Sequence, residues 1–258
     1  MTRSQPVRSL AGLLALVACA HVTPARAADA MREVDISRVT LRLPGDGWAV
    51  SDKLPFGAAV SSSGLTLDGE RRLVTVGQAG SRDGLVMLVS AIRGSRGVSM
   101  HAECDPQDGA YVRKFNRGQS NYIPLQCLRL QGPARMPADA AEIDDEFGAA
   151  VKAQHAALPP GGYVLAIVVS NDNGASVEIT AVIGTHLEGV GDKPPAARVP
   201  QDMPPAIAAW ADRLGEEALG TLSSWSGRMT MPPVVFKPPA AQEPTLNTAL
   251  AAPPALKD

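Results

Sequence analysis

Apolar and polar residues alternate at the start of the chain. In "RVTLRLPGDGW", every second residue from 39 to 43 is apolar, as expected of a strand with one buried face. Turn residues follow at 44–47, and a second short strand is predicted over 48–51. The pattern therefore predicts a β-hairpin in this region.

Two further strand pairs are predicted downstream. Residues 73–76 and 85–92 are rich in Val, Leu and Ile, and "GQAGSRDG" between them supplies three glycines for a turn. "YVLAIVVS" from Tyr163 and "SVEITAVIG" from Ser176 flank Asn-Asp-Asn-Gly at 171–174, residues that tolerate positive φ. The strand from Tyr163 is apolar on both faces, which favours the middle of a covered sheet.

Helical periodicity appears twice. Over 139–158 one stripe is apolar, Asp139 with Glu142 resembles a capping box, and "PPGG" follows. A second helix is predicted over 204–225, with prolines in its first turn and Gly227 at its end. Its apolar stripe contains Ile207, Ala211, Leu214, Ala218, Leu222 and Trp225.

These elements together predict the α+β class. We expect a mixed or mainly antiparallel sheet with two amphipathic helices packed on it, in a single domain over 28–230. Residues 189–205 are interpreted as a linker before the second helix. Residues 231–258 are rich in proline and alanine and are predicted to form a disordered tail.

The N-terminus has the layout of an export signal. Arg3 and Arg8 precede an apolar run over 10–20, and the stretch that follows ends in the A-x-A pattern at 25–27. Cleavage between Ala27 and Ala28 would remove residues 1–27 as a signal peptide. The mature chain would then carry a net charge of about −5, which disfavours general binding to nucleic acid or anionic membranes.

A second cleavage site overlaps this signal. Leu16-Val17-Ala18-Cys19 resembles the lipobox of bacterial lipoproteins, which implies lipidation at Cys19 and an outer-membrane anchor. The A-x-A pattern and Pro24 favour instead a soluble periplasmic or secreted product. No apolar run reaches the ~18 residues of a membrane-spanning helix, so none is expected in the mature chain.

Two cysteines remain after cleavage behind Ala27. Because thiols oxidise outside the cytoplasm, we predict a disulfide between Cys104 and Cys127. In the chain-entropy model, a loop of this length stabilises the fold by roughly 3 kcal/mol. Two buried free thiols are the alternative.

Short catalytic and cofactor motifs are absent from the sequence. There is no G-x-S-x-G elbow and no Walker or Rossmann glycine pattern. His101, Glu103 and Cys104 have no second cluster of zinc ligands, and the acidic residues at 142–146 suit the first turns of a helix. No catalytic residue, metal or cofactor is therefore predicted.

One segment combines cations with aromatic side chains. "AYVRKFNRG" places Arg113, Lys114 and Arg117 beside Tyr111 and Phe115, a combination that can bind phosphate, sugar or an acidic partner. An alternating strand with solvated charges is the ordinary alternative.

The sequence favours a non-catalytic function. We expect an exported cell-envelope protein that acts as a binding or accessory domain, with an envelope protein or a wall polysaccharide as its partner. An envelope hydrolase whose site leaves no local motif is the alternative.

Overall fold

A computed structural model describes most of the chain after Met31. All the structural statements below concern the described residues, which are 31–54, 68–93, 109–115, 126–133, 140–171, 174–189, 193–224 and 226–237.

The main element is a seven-stranded sheet in which every neighbouring pair is antiparallel. Its strands are β3 (Ala49–Val50), β4 (Asp68–Gly77), β5 (Gly84–Arg93), β6 (Ala110–Lys114), β7 (Gln126–Gln131), β8 (Tyr163–Ser170) and β9 (Ala175–Ile183). They lie in the spatial order β3-β4-β5-β9-β8-β7-β6.

Two small sheets and two helices complete the described fold. The strands are β1 (Met31–Ile36), β2 (Val39–Pro44), β10 (Leu187–Gly189), β11 (Arg228–Thr230) and β12 (Val234–Phe236). The helices are α1 (Asp145–Ala153) and α2 (Pro205–Ser223). In the three-stranded sheet, β2 pairs with β1 in antiparallel and with β11 in parallel orientation, and β10 and β12 form a separate antiparallel pair.

The predicted α+β class is confirmed, as is a mainly antiparallel arrangement. β4 pairs with β5, and β8 pairs with β9 across the predicted turn. In that turn Asn171 accepts the Ala175 N–H at 3.0 Å and Gly174 has a φ of 75°. β8 lies between β9 and β7, the interior position that its apolar faces indicated.

The hairpin predicted over 39–51 is wrong. β2 pairs with β1 and β11, whereas β3 pairs with β4 in the other sheet. Gly45 and Gly47, with φ values of 74° and 88°, lie in the segment that carries the chain between the two sheets. The alternation identified the buried face of β2, but periodicity contains no information about which strand lies alongside.

The first helix is shorter than predicted. Its N-cap is Asp144, whose carboxylate accepts the Phe147 N–H at 2.7 Å, and not Asp139. A separate 3₁₀ turn, Ala140–Glu142, precedes it. The second helix begins and ends within two residues of the prediction.

The described fold extends beyond the predicted boundary at residue 230. β12 lies in the segment predicted to be a disordered tail, where pairing with β10 satisfies its backbone and Phe236 packs against the core. Residues 238–258 lie outside the described residues. The predicted linker also contributes to the core, because Met203 is buried.

The two faces of the large sheet contact different elements. Val74, Met87 and Leu165 belong to a large core that includes α2 and the three-stranded sheet. Leu73, Val86 and Phe147 belong to a smaller cluster under α1. Nine helical residues span only about 13 Å, whereas seven strands span nearly 30 Å. By itself, α1 therefore covers only part of the sheet face that it contacts.

None of the described helices is both long and apolar enough to cross a membrane.

Candidate functional site

A cleft of about 290 Å³ lies beside the C-terminal end of α1. It is bounded by β3, β4, β5, the turn after β4 and the residues that follow α1. Its lining includes Ala49, Ser51, Leu73, Thr75, Gln78 and His155. We call this site the α1 cleft.

The register of the strands determines the floor of the α1 cleft. Ala49 pairs with Thr75, and the Ser51 N–H donates to the Leu73 carbonyl at 2.9 Å. Directly opposed residues point to the same face of a sheet, so these side chains lie together on the α1 face. Leu73 and Val86 are each 3% exposed, and they give the floor an apolar character.

The C-terminal end of α1 forms the helix-side wall of the α1 cleft, and a histidine lies there in a position where glycine is usual. The Ala156 N–H donates to the Val151 carbonyl at 3.0 Å and the His155 N–H to the Lys152 carbonyl at 3.2 Å, the bonds of a Schellman motif. His155 has a φ of 49°, in the position that glycine usually occupies. A left-handed conformation costs a non-glycine residue about 1 kcal/mol, and the His155 side chain is exposed at the α1 cleft.

A backbone hydrogen bond joins the turn after β4 to the segment that follows α1. The Gly80 N–H, in the turn after β4, donates to the Ala157 carbonyl at 3.2 Å. In the same turn Gly77 has a φ of 82°, and a Cβ there would meet the Asp83 backbone and the Phe236 ring. Backbone contacts thus hold the turn after β4 against the residues that follow α1.

The lining of the α1 cleft is uncharged in residue type. Its described residues include no carboxylate, amine, guanidinium or thiol, and His155 contributes an imidazole. The Ser51 hydroxyl donates to the Asp52 carbonyl at 2.7 Å and accepts the Leu73 N–H at 3.0 Å. Such a lining suits neutral ligands that bury apolar groups and make a few hydrogen bonds.

Tyr111, one of the predicted binding residues, is fully buried. Its hydroxyl donates to Asp212 Oδ2 at 2.7 Å and accepts the Ala197 N–H at 3.2 Å. Asp212 Oδ2 also accepts the Ala196 N–H at 2.7 Å. Burial, and then the hydrogen bond to Asp212, raise the pKa of Tyr111 well above its usual range.

Arg113 and Phe115 are also directed at α2. The Arg113 guanidinium lies 3.4 Å from Asp212 Oδ1 and 2.8 Å from Glu216 Oε1, and 4.7 Å from the centre of the Phe115 ring. A Cβ at Gly215 of α2 would collide with that ring. The structure thus brings one predicted cation, Arg113, and the two aromatic residues together as a contact between β6 and α2. We call Tyr111, Arg113, Asp212 and Glu216 the α2 anchor.

Two further residues, Lys114 and Arg117, were predicted to bind a ligand. Lys114 is exposed on β6. Arg117 lies outside the described residues.

Most of the predicted processing and cysteine positions lie outside the described residues. These are Cys19, Ala27, Ala28 and Cys104. Cys127 lies in β7 and is 1% exposed. The disulfide between Cys104 and Cys127 stays a prediction.

One histidine–carboxylate pair was not predicted from the sequence. His186 Nδ1 lies 2.8 Å from Asp83 Oδ1, which joins the turn after β9 to the turn before β5. Ser81 in the latter turn donates its hydroxyl to the Gln78 carbonyl at 3.0 Å. Among the described residues, no three His, Cys, Asp or Glu side chains are placed to hold a metal ion.

Sequence reasoning also missed the α1 cleft. Its lining residues are mostly Ala, Gly, Val, Leu and Gln, which carry no chemical signature. His155 was the one available signal, but the predicted helix over 139–158 placed it in a helix interior.

Comparison with known proteins gives no relative. The chain matches no protein-family model, and no curated protein or solved structure matches it significantly.

Proposed function

We propose that the chain is an exported cell-envelope protein, soluble outside the cytoplasm, that acts as a non-catalytic binding domain through the α1 cleft. The N-terminal arginines, apolar run and A-x-A pattern support export. We further propose a single domain in which both helices pack on the sheet through their apolar faces.

The lining of the α1 cleft carries this proposal. It combines a buried apolar floor with amide, hydroxyl and imidazole groups at its rim. A hydrolase would need a nucleophile within hydrogen-bond reach of a base, and the Ser51 hydroxyl is engaged by backbone groups. A concave, mainly apolar site with few polar groups is typical of ligand recognition.

The binding part of the proposal is tested with neutral organic probes. We expect benzyl alcohol, cyclohexanol and N-methylbenzamide to shift amide NMR signals of residues 49–51 and 154–157. Ala49→Trp should fill the α1 cleft and weaken these shifts at least fivefold. Ala149→Trp, at an exposed alanine of α1 outside the cleft, is the matched control and should behave as the wild type.

Probe-induced shifts elsewhere in the protein, unchanged by Ala49→Trp, would contradict the assignment of the site. Export is tested separately by the intact mass of protein from the producing cell. We expect an N-terminus at Ala28 and two hydrogens fewer than in the reduced chain. A diacylglycerol on Cys19 would replace the soluble product with an anchored one.

A further inference from the structure

A threonine lies in the apolar floor of the α1 cleft. Thr75 in β4 pairs with Ala49 of β3 on one side and with Val86 of β5 on the other. Directly opposed residues share a face of the sheet, and so do residues two apart in one strand. The buried Leu73 is therefore a third neighbour on this face. Thr75 thus brings a hydroxyl into a row of alkyl side chains.

The two hydroxyl groups of the described lining differ in their partners. The Ser51 hydroxyl donates to the Asp52 carbonyl and accepts the Leu73 N–H, so the backbone already occupies it. The Thr75 hydroxyl makes no hydrogen bond to any described residue. Thr75 is half-buried and lines the cleft, where water can satisfy its hydroxyl. Of the two hydroxyl groups, that of Thr75 is the one available to a ligand.

The described contacts of the fold do not use a hydroxyl at this position. Valine has nearly the same shape as threonine, and both residues favour strands. Ala49, Leu73 and Val86 offer alkyl groups alone, against which a valine would pack. Recognition of a ligand accounts for the hydroxyl where packing does not.

Ligand entry would remove water from the Thr75 hydroxyl. A hydroxyl that is buried without a hydrogen bond costs free energy, so a purely apolar ligand would be penalised at this point of the floor. Sites built to hydrogen-bond a hydroxyl reject analogues that lack it, for the same reason. Because no described lining residue is a carboxylate, an amine would enter without an ionic partner. A neutral alcohol or carbonyl group meets both conditions.

We infer that Thr75 determines the specificity of the α1 cleft, and that the ligand is a neutral molecule with an apolar body and an alcohol or carbonyl oxygen at its buried end. The Thr75 hydroxyl hydrogen-bonds to that oxygen, while Leu73 and Val86 contact the apolar body. This inference rests on the proposed function, because it names the ligand class of the same site.

Two probes of equal size test the hydrogen bond. Benzyl alcohol and ethylbenzene have the same number of heavy atoms and differ by a hydroxyl in place of a methyl group. Titration of the amide NMR signals of residues 49–51 and 154–157 gives the affinity for each. Thr75→Val keeps the shape of the side chain and removes its hydroxyl. We expect its affinity for benzyl alcohol to fall by about fivefold, whereas its affinity for ethylbenzene stays level or rises.

Two further variants control for other effects of the substitution. Thr75→Ser keeps the hydroxyl and should bind benzyl alcohol nearly as well as the wild type. Thr180 of β9 is half-buried and pairs with Leu88 on the same face of the sheet, but it does not line the cleft. Thr180→Val should therefore leave both affinities unchanged. An equal loss of benzyl alcohol affinity in Thr75→Val and Thr180→Val would overturn the inference.

These results separate the inference from the proposed function. If both probes bind in the α1 cleft and Thr75→Val weakens neither, or weakens both equally, Thr75 does not select the ligand and the binding domain stands. If neither probe shifts the signals of residues 49–51 or 154–157 in the wild type, both proposals fail.

Discussion

The two faces of the seven-stranded sheet differ in how they are covered. On one face, α2 spans 19 residues and is joined to β6 through the α2 anchor, in which a buried aspartate accepts three hydrogen-bonding or ionic partners. On the other face, α1 spans nine residues and leaves the α1 cleft beyond its C-terminal end. One face holds the buried charges of the α2 anchor, whereas the other carries the Arg71–Glu146 ion pair and leaves the uncharged groups of the α1 cleft accessible.

The two faces show that residue types able to bind a ligand are not always the accessible ones. Arg113, Tyr111 and Phe115 are chemically the most conspicuous residues of their segment, yet their contacts connect two elements of the fold. The plain residues of the α1 cleft surround open space instead. Residue types that can bind a ligand indicate a site only when the fold leaves them free to do so.

The largest effect is expected from breaking the α2 anchor. Asp212→Ala leaves the Tyr111 hydroxyl, the Ala196 N–H and the Arg113 guanidinium without their shared acceptor. Removing one member of a buried charge pair costs about 3–5 kcal/mol, which urea denaturation would measure. Binding of the neutral organic probes by the folded protein should be unchanged.

Glu216→Ala is the matched control for Asp212→Ala. The Glu216 side chain is 49% exposed, so its loss should cost less than about 1 kcal/mol. Equal destabilisation by the two substitutions would show that the buried position of Asp212 is not what stabilises the contact.

A smaller effect is expected at alkaline pH. The pKa of Tyr111 is raised in the folded protein, mainly by burial, whereas the unfolded chain releases this proton near pH 10. Stability from Tyr111 is therefore complete below pH 10 and is lost as pH rises from there towards the folded pKa. The expected slope is about 1.4 kcal/mol per pH unit.

Tyr111→Phe removes this ionisation, so its unfolding free energy should fall less steeply between pH 10 and 11.5. Tyr163, whose pKa is raised mainly by burial, remains in both proteins and does not affect the difference. Parallel curves for the two proteins in urea denaturation would contradict the placement of the Tyr111 hydroxyl.

The smallest effects are expected from two glycines of α2. A Cβ at Gly215 would meet the Phe115 ring, whereas a Cβ at Gly220 would meet nothing within 4 Å. Gly220→Ala should stabilise the protein by about 0.5–1 kcal/mol through helix propensity. Gly215→Ala should destabilise it by about 1 kcal/mol, because overpacking exceeds that gain. Thermal unfolding that ranks the two variants in the opposite order would exclude the close contact of Phe115 with α2.

Features that depend on local sequence could be predicted. The β8–β9 hairpin has its turn residues within four positions, and the stripe of α2 repeats every three or four residues. Pairing between distant segments could not be predicted: the alternation in β2 does not indicate that its neighbour is β11, nearly 190 residues later. The N-cap of α1 is Asp144 and not the predicted Asp139, because the Asp144 carboxylate accepts the Phe147 N–H.

The candidate site was less accessible to prediction than the fold. The α1 cleft forms where three separate strands and the end of a helix meet, so no single segment of the sequence indicates it. The left-handed conformation of His155 follows from the end of α1 at Ala153, which the predicted helix overran. Arg113 was visible in the sequence, but its partners Asp212 and Glu216 lie about 100 residues away.

Crystals soaked with the three neutral organic probes would show whether the α1 cleft binds such molecules. We expect probe density in the α1 cleft, in contact with Leu73 and His155, and no density there in Ala49→Trp crystals. An α1 cleft that stays free of probe while the same molecules occupy another site of the protein would contradict the proposed function.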